Sequence, residues 1–188
     1  MHTIRISVRN LVEFIMQSGD LSVSQSGLRD PDAMQEGARI HKKLQKRMGS
    51  GYRPEVSLSE EIPVSYDDID FAIVVEGRAD GIFTDETGEN IDEIKGVYRD
   101  IHSMESAVPV HRAQALCYAY IYALQNSLPG MGIRITYCHI PTEEIRYFTE
   151  YLSFEEIKQQ FLSIVQEYAN SGLREVHRFS CKEDRSGT

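Results

Sequence analysis

Two short segments near the middle of the chain carry residue types that can do hydrolytic chemistry. The first is Gly-Arg-Ala-Asp80, and the second, beginning twelve residues after Asp80, is Asp-Glu93-Ile-Lys95. Residues two apart in a strand share a face, so Glu93 and Lys95 point the same way. If the two strands pair, Asp80 approaches Glu93, and two close carboxylates repel unless a cation lies between them. Such oxygen ligands suit Mg²⁺ or Mn²⁺, and a neighbouring lysine can stabilise developing negative charge. The pattern indicates metal-assisted phosphodiester hydrolysis.

The same residues have a simpler interpretation. Asp80 then lies in an Asp-Gly turn, and Glu93 and Lys95 form a surface ion pair. Taken alone, Glu-x-Lys favours this interpretation, because the pattern is common.

Two predicted helices place polar side chains one turn apart. His41 follows Gly37 by four residues, so the two share a face, and glycine leaves room beside an imidazole that can bind a metal. Gln114 and Tyr118 are also four residues apart, and this face offers hydrogen bonds and an aromatic ring to nucleic acid. The alternatives are a partly buried helix histidine and a tyrosine that belongs to the core.

The elements that must position these residues follow from the hydrophobic periodicity. The predicted order is helix, helix, three strands, helix, two strands, helix, which favours a mixed α/β domain with a central sheet flanked by helices. Helices are predicted at 5–16, 32–48, 108–125 and from a Ser153–Glu156 capping box to about residue 170. Strands are predicted at 55–59, 71–83, 91–95, 132–140 and 145–152, and a loop at 20–30. We expect one domain over 1–178 and a polar tail or truncated linker over 179–188.

Composition narrows the function classes. The chain has 188 residues and a net charge of −9, so its average field repels phosphate and a nucleic-acid site must be local. A basic run between residues 39 and 53 contains no acid: Arg39, Lys42, Lys43, Lys46, Arg47 and Arg53. This run is either a strip that holds a nucleic-acid backbone or a solvated helix face.

Three cysteines cannot supply the four thiolates of an iron–sulfur cluster, so no such cluster is expected. No apolar run is long enough to span a bilayer and no signal peptide is evident, which predicts a cytoplasmic protein without a membrane partner.

Taken together and in order, the four motifs resemble the RecB-like nucleases of the PD-(D/E)XK superfamily. The resemblance implies a restriction-endonuclease-like core and a Mg²⁺- or Mn²⁺-dependent nuclease, most simply an exonuclease, acting on DNA in repair or recombination. It implies that the metal is held by His41, Asp80, Glu93 and the main-chain carbonyl of Ile94. Lys95 would be the catalytic lysine, and Gln114 and Tyr118 would position DNA.

Other residues are candidates for the same site. Arg78 lies two residues before Asp80 and either contacts phosphate or pairs with Glu76. Glu55 would reach the metal through a water molecule. Glu36 is an alternative to His41, but the two lie about 140° apart around a helix and are not expected to bind one ion together.

The opening Ile4-Arg-Ile-Ser-Val-Arg-Asn-Leu-Val-Glu-Phe is similar to nuclease domains fused to bacterial superfamily 2 DNA helicases. A helicase domain or subunit is therefore a predicted partner. Three alternatives remain: a nuclease-like fold that binds nucleic acid without cutting it, a docking domain of a helicase, and an unrelated α/β protein in which the motifs occur by chance.

Overall fold

The chain forms a mixed sheet of six strands with four helices packed on its faces. The computed structural model describes residues 2–19, 31–66 and 69–183. The elements are, in chain order, β1 His2–Ser7, α1 Val8–Gly19, α2 Pro31–Arg47, β2 Tyr52–Tyr66, β3 Ile69–Asp85, β4 Gly88–Val97, α3 Pro109–Gln125, β5 Gly130–His139, β6 Ile145–Ser153 and α4 Phe154–Glu183.

The long strand β3 organises the sheet. β2 runs antiparallel to β3 along nearly its whole length. Because one edge of β3 is thereby occupied, its other partners share the opposite edge: β1 pairs in parallel with residues 71–76, and β4 pairs antiparallel with residues 81–85. Residues 77–80 of β3 lie between these two partners and have none on this edge. β5 then pairs in parallel with β4, and β6 antiparallel with β5.

Each face of the sheet has its own hydrophobic cluster. The larger cluster lies under α1, α3 and α4, and α3 is buried along most of its length. The smaller cluster lies under α2, where Ile40 and Leu44 pack on Ile94, Cys138 and Ile140. The sheet therefore separates a thick helical layer from a single helix, and α2 and α3 approach β4 from opposite faces.

The predicted fold class is confirmed as a mixed α/β architecture with a central mixed sheet flanked by helices. The Ser153–Glu156 capping box is also confirmed, because Glu156 accepts hydrogen bonds from the Ser153 amide (2.8 Å) and hydroxyl (2.6 Å). Within the described residues, no helix is both long and apolar enough to cross a membrane.

The boundaries of two predicted helices are wrong. The segment 5–7 belongs to strand β1, because Ile4 and Ile6 pack on the larger core while residues 2–7 pair with β3. Helix α1 begins only at Val8, where the Ser7 hydroxyl accepts a hydrogen bond from the Asn10 amide (3.1 Å). Helix α4 continues past residue 170 to Glu183. The predicted loop at 20–30 and the last residues of the predicted tail, 184–188, lie outside the described residues.

Candidate active site

Asp80 lies where β3 and β4 separate. Gly81 of β3 and Asp92 of β4 form the last residue pair of these two strands. Asp80, the preceding residue of β3, lies just beyond this pair in the unpaired part of β3. Its Oδ2 accepts a hydrogen bond from the Ile94 amide at 2.7 Å, which takes the place of a strand-to-strand bond. Its main-chain oxygen accepts a hydrogen bond from Gln45 Nε2 at 2.9 Å. Asp80 is therefore fixed from both β4 and α2.

Helix α2 brings His41 to Asp80. His41 Nδ1 lies 3.3 Å from Asp80 Oδ1. Burial alone would lower the pKa of His41, but the hydrogen bond and charge of Asp80 outweigh it, and the pKa is raised above its ordinary value. The helix can approach closely because Gly37 lies over Gly96 of β4, where an added Cβ on Gly96 would be 3.8 Å from the Gly37 Cα. When His41 is protonated, it forms an ion pair with Asp80.

Glu93 and Lys95 form the second half of the site. Glu93 is 5% exposed, and its Oε1 accepts a hydrogen bond from Lys95 Nζ at 2.6 Å. Burial raises the pKa of Glu93 to about 7; the charge of Asp80 also raises it, while Lys95 opposes this shift. The interpretation of Glu93 and Lys95 as a surface ion pair is wrong, because the carboxylate is buried.

Helix α3 closes the site from the other face of the sheet. Tyr118 is buried against Gly77 in the unpaired part of β3, where an added Cβ would lie 2.7 Å from the Tyr118 hydroxyl. Burial and the nearby charges of Glu93 and Asp80 raise the pKa of Tyr118. One turn earlier, Gln114 is 6% exposed, and its Oε1 is buried without a hydrogen-bond partner among the described residues. An unpaired buried amide oxygen costs free energy, roughly 1–3 kcal/mol, that a bound ligand or water would recover.

The donor set fits a divalent cation in its chemistry. Within the described residues, no three side chains of His, Cys, Asp or Glu stand close enough to form a complete metal site. However, the 3.3 Å between His41 Nδ1 and Asp80 Oδ1 is near the roughly 3 Å between adjacent ligands of a cation with bonds of about 2.1 Å. The second oxygen of Glu93 has no hydrogen-bond partner in the described part of the chain. A cation here would also offset the cost of burying this carboxylate.

The predicted basic strip is divided between two faces of α2. Arg39, Lys43 and Arg47 converge on Glu143, which lies in the loop before β6. Lys42 and Lys46 are exposed, and no acid of the described residues lies within ion-pair distance of either. Arg53, the last residue of the strip, pairs with Glu89, so within the strip only Lys42 and Lys46 lack an acidic partner among the described residues.

Three further candidates have other partners. Arg78 pairs with Glu55 at 2.9 Å rather than with Glu76, which pairs with Arg5. Glu55 itself has a φ of 58°, and the register of β2 with β3 passes over it and Asp80, from the pair Pro54–Gly81 to the pair Val56–Ala79. Glu36 forms an ion pair with Arg39 at 2.6 Å. The ion pairs of Glu36 and Glu55 thus hold these carboxylates in contacts outside the group of His41, Asp80 and Glu93.

Sequence reasoning missed Gln45 and the surroundings of Asp92. Gln45 follows His41 by four residues, so helical periodicity alone places it on the same face. Asp92 lies on the opposite face of β4 from Glu93, as strand alternation predicts, but its partners Tyr52 and Arg134 lie 40 and 42 positions away in the sequence. No local pattern indicates such long-range contacts.

The chain was compared with known proteins. No protein-family model matches this sequence, and no curated protein matches it. Among solved structures it is similar to SSO0001, with a TM-score of 0.50 and 20% identity over 86% of this chain and 75% of that chain. It is also similar to the alkaline exonuclease LHK-Exo from Laribacter hongkongensis, with a TM-score of 0.40 and 12% identity over 95% and 94% of the two chains. The complex of LHK-Exo with dAMP gives a TM-score of 0.48 and 12% identity over 97% and 94%. At these identities the likeness to SSO0001 concerns the fold.

Proposed function

We propose that this chain is a metal-dependent nuclease of the PD-(D/E)XK type that hydrolyses phosphodiester bonds in DNA. The observation that supports the proposal is the convergence of Asp80, Glu93 and Lys95 at the gap in the sheet, with His41 added from α2. All four side chains belong to the sequence motifs that resemble RecB-like nucleases.

His41, Asp80, Glu93 and the carbonyl of Ile94 would hold Mg²⁺ or Mn²⁺. When bound, such an ion polarises the scissile phosphate and lowers the pKa of a bound water. Lys95 lies beside Glu93, where its ammonium group orients the attacking water and offsets negative charge in the transition state. Gln114, whose buried Oε1 has no hydrogen-bond partner among the described residues, would position the DNA together with Tyr118, which packs against the unpaired segment of β3.

DNA would reach this site along α2. Lys42 and Lys46 would hold the backbone, because Lys43 and Arg47 are engaged by Glu143. An acidic protein with one exposed basic strip orients an anionic polymer toward that strip. Arg78 can contact the DNA backbone only if its ion pair with Glu55 is replaced by one with a phosphate. We further propose an exonuclease that acts in DNA repair or recombination, in the cytoplasm, with a helicase as domain or subunit; these points follow from the RecB-like resemblance.

Cleavage of end-labelled linear and circular DNA, single- and double-stranded, tests the proposal. Wild-type protein is compared with Asp80→Ala and Lys95→Ala in Mg²⁺ and in Mn²⁺. Asp85→Ala is the matched control, because this residue lies on the same strand and bonds only within the turn of the β3–β4 hairpin. Metal-dependent cutting that both site variants lose and the control keeps is the expected result.

Calorimetric titration with Mn²⁺ completes the test. Cutting by the Asp80→Ala variant at the wild-type rate would refute the assigned role of this carboxylate. No cutting together with no Mn²⁺ binding by the wild type would overturn the proposal in favour of a non-catalytic nucleic-acid-binding or docking domain.

A further inference from the structure

On the face of β4 opposite Glu93 lies a second buried carboxylate. Asp92 is adjacent to Glu93 on β4 and is 0% exposed. It accepts hydrogen bonds from three side chains: the Tyr52 hydroxyl (2.9 Å), the Arg134 guanidinium (3.1 and 2.8 Å) and the Thr136 hydroxyl (2.5 Å). The charge of Asp92 is thus paired and its two oxygens have four donors. A buried charge needs such compensation.

We infer that Asp92, with Tyr52, Arg134 and Thr136, is a positioning cluster that sets the separation of Asp80 and Glu93. The inference rests on the proposed function, because it concerns the same site. None of these four residues is assigned a contact with the metal or the substrate. They act through the strands that carry the two carboxylates.

Tyr52 connects the two strands at the rung next to the site. Its ring covers Gly81 so closely that an added Cβ there would lie 2.0 Å from the ring and the hydroxyl. Its hydroxyl meanwhile bonds Asp92, which is the cross-strand partner of Gly81. Asp80 and Glu93 are the next residues along these strands, so one side chain holds both at the point where pairing ends.

Arg134 and Thr136 of β5 fix Asp92, the β4 residue of the Gly81–Asp92 pair, from the other side. They flank Ile135, the cross-strand partner of Glu93. The Arg134 guanidinium lies 3.9 Å from the centre of the Phe83 ring, which restricts its position further. Asp92 is therefore tied to strands on both sides of β4, and Glu93 cannot shift along or across the sheet without breaking these contacts.

The chain contains a matched network that serves as a control. Glu89, at the far end of β4, accepts hydrogen bonds from the same three residue types: Tyr122, Arg53 and Thr84. Tyr52 and Tyr122 are both buried, at 6% and 9% exposure. The Glu89 network stabilises the hairpin end but does not flank the site. The test pair is Tyr52→Phe and Asp92→Asn, and the control pair is Tyr122→Phe and Glu89→Gln.

Amide hydrogen exchange of Ile94 in metal-free protein is the first measurement. This amide donates to Asp80 Oδ2, so its protection reports directly on the spacing of Asp80 and β4. We expect the test pair to speed exchange at Ile94 at least tenfold relative to the control pair, at matched global stability. Tyr52→Phe keeps the ring over Gly81 and removes only the hydroxyl, so it remains informative if Asp92→Asn does not fold.

Mn²⁺ affinity by calorimetry is the second measurement. Loss of groups that orient metal ligands typically weakens binding about 10- to 100-fold. We expect such a loss in the test pair and none in the control pair, with cleavage recovering at high Mn²⁺ concentration. Equal Ile94 exchange in the test and control pairs would overturn the inference. A wild type that neither binds Mn²⁺ nor cuts DNA would instead refute the proposed function, while the exchange measurement would still decide whether the cluster positions Asp80.

Discussion

Replacing Glu93 by glutamine should make the metal-free protein more stable, and the gain should grow with pH. The wild-type carboxylate is buried at 5% exposure beside Asp80, so ionising it is costly. Glutamine has nearly the same size and no charge. The Glu93→Gln variant should therefore lose metal binding and gain stability, whereas most substitutions at buried positions destabilise a protein.

The magnitude follows from the pKa of Glu93, which is raised from 4.5 to about 7. Between these two values the folded state keeps a proton that the unfolded chain has released. The free energy of unfolding of the wild type therefore falls as pH rises through this window. One pKa unit corresponds to about 1.4 kcal/mol, so the variant should gain roughly 3 kcal/mol at pH ~8 and less than about 1 kcal/mol at pH ~5. For a chain of this size the larger gain raises Tm by about 6–12 °C.

Calorimetric unfolding in the presence of EDTA measures both values. Glu89→Gln is the control, because Glu89 lies on the same strand but is paired with Arg53, and its side chain is 25% exposed; this variant should not be more stable than the wild type. Added Mn²⁺ should raise the Tm of the wild type and leave that of Glu93→Gln unchanged. A variant less stable than the wild type at pH ~8, or equally stabilised at both pH values, would refute this reasoning about Glu93.

Three further predictions concern other parts of the site and its surroundings. Lys95→Ala should slow DNA cleavage by about 100-fold or more yet retain Mn²⁺ binding in calorimetry, because this lysine stabilises charge rather than binding the metal; loss of both would assign it a structural role. Gly81→Ala should lower the free energy of unfolding in urea by about 1–3 kcal/mol, because Tyr52 must move away from the new Cβ; an unchanged value would contradict the close packing. Arg134→Ala should cost about 3–5 kcal/mol by leaving Asp92 buried without its charge partner, and adding Asp92→Asn should recover part of this loss, as measured by the same unfolding curves.

Most elements and the main site residues could be predicted from local patterns. Helical spacing placed His41 on one face of α2, and strand alternation separated Glu93 from Asp92. The hairpin that joins β3 to β4 follows from the turn residues between them. The metal-ligand and catalytic roles of these residues remain predictions.

The rest depends on contacts between distant parts of the chain. The sequence predicts a helix that includes residues 5–7 of β1, because these residues run directly into the helical pattern of α1, and only pairing with β3 distinguishes them. The basic strip was divided by Glu143, which lies 100 positions beyond Lys43. Composition and periodicity describe neighbours in sequence. Neither the pairing of β1 with β3 nor the ion pairs with Glu143 therefore leaves a local signal.

The division of one edge of β3 between β1 and β4 has a consequence for folding. The β3–β4 hairpin joins residues close in sequence and closes a short loop, whereas β1 pairs with residues about 70 positions away. Closing the longer loop costs more entropy, so we expect the hairpin, with Asp80 and Glu93, to form before β1 docks. The gap at Asp80 is bounded by β4 on one side and by β1 on the other, so it is complete only after β1 has paired with β3. A completed cleft would thus appear late in folding, after most of the sheet has formed.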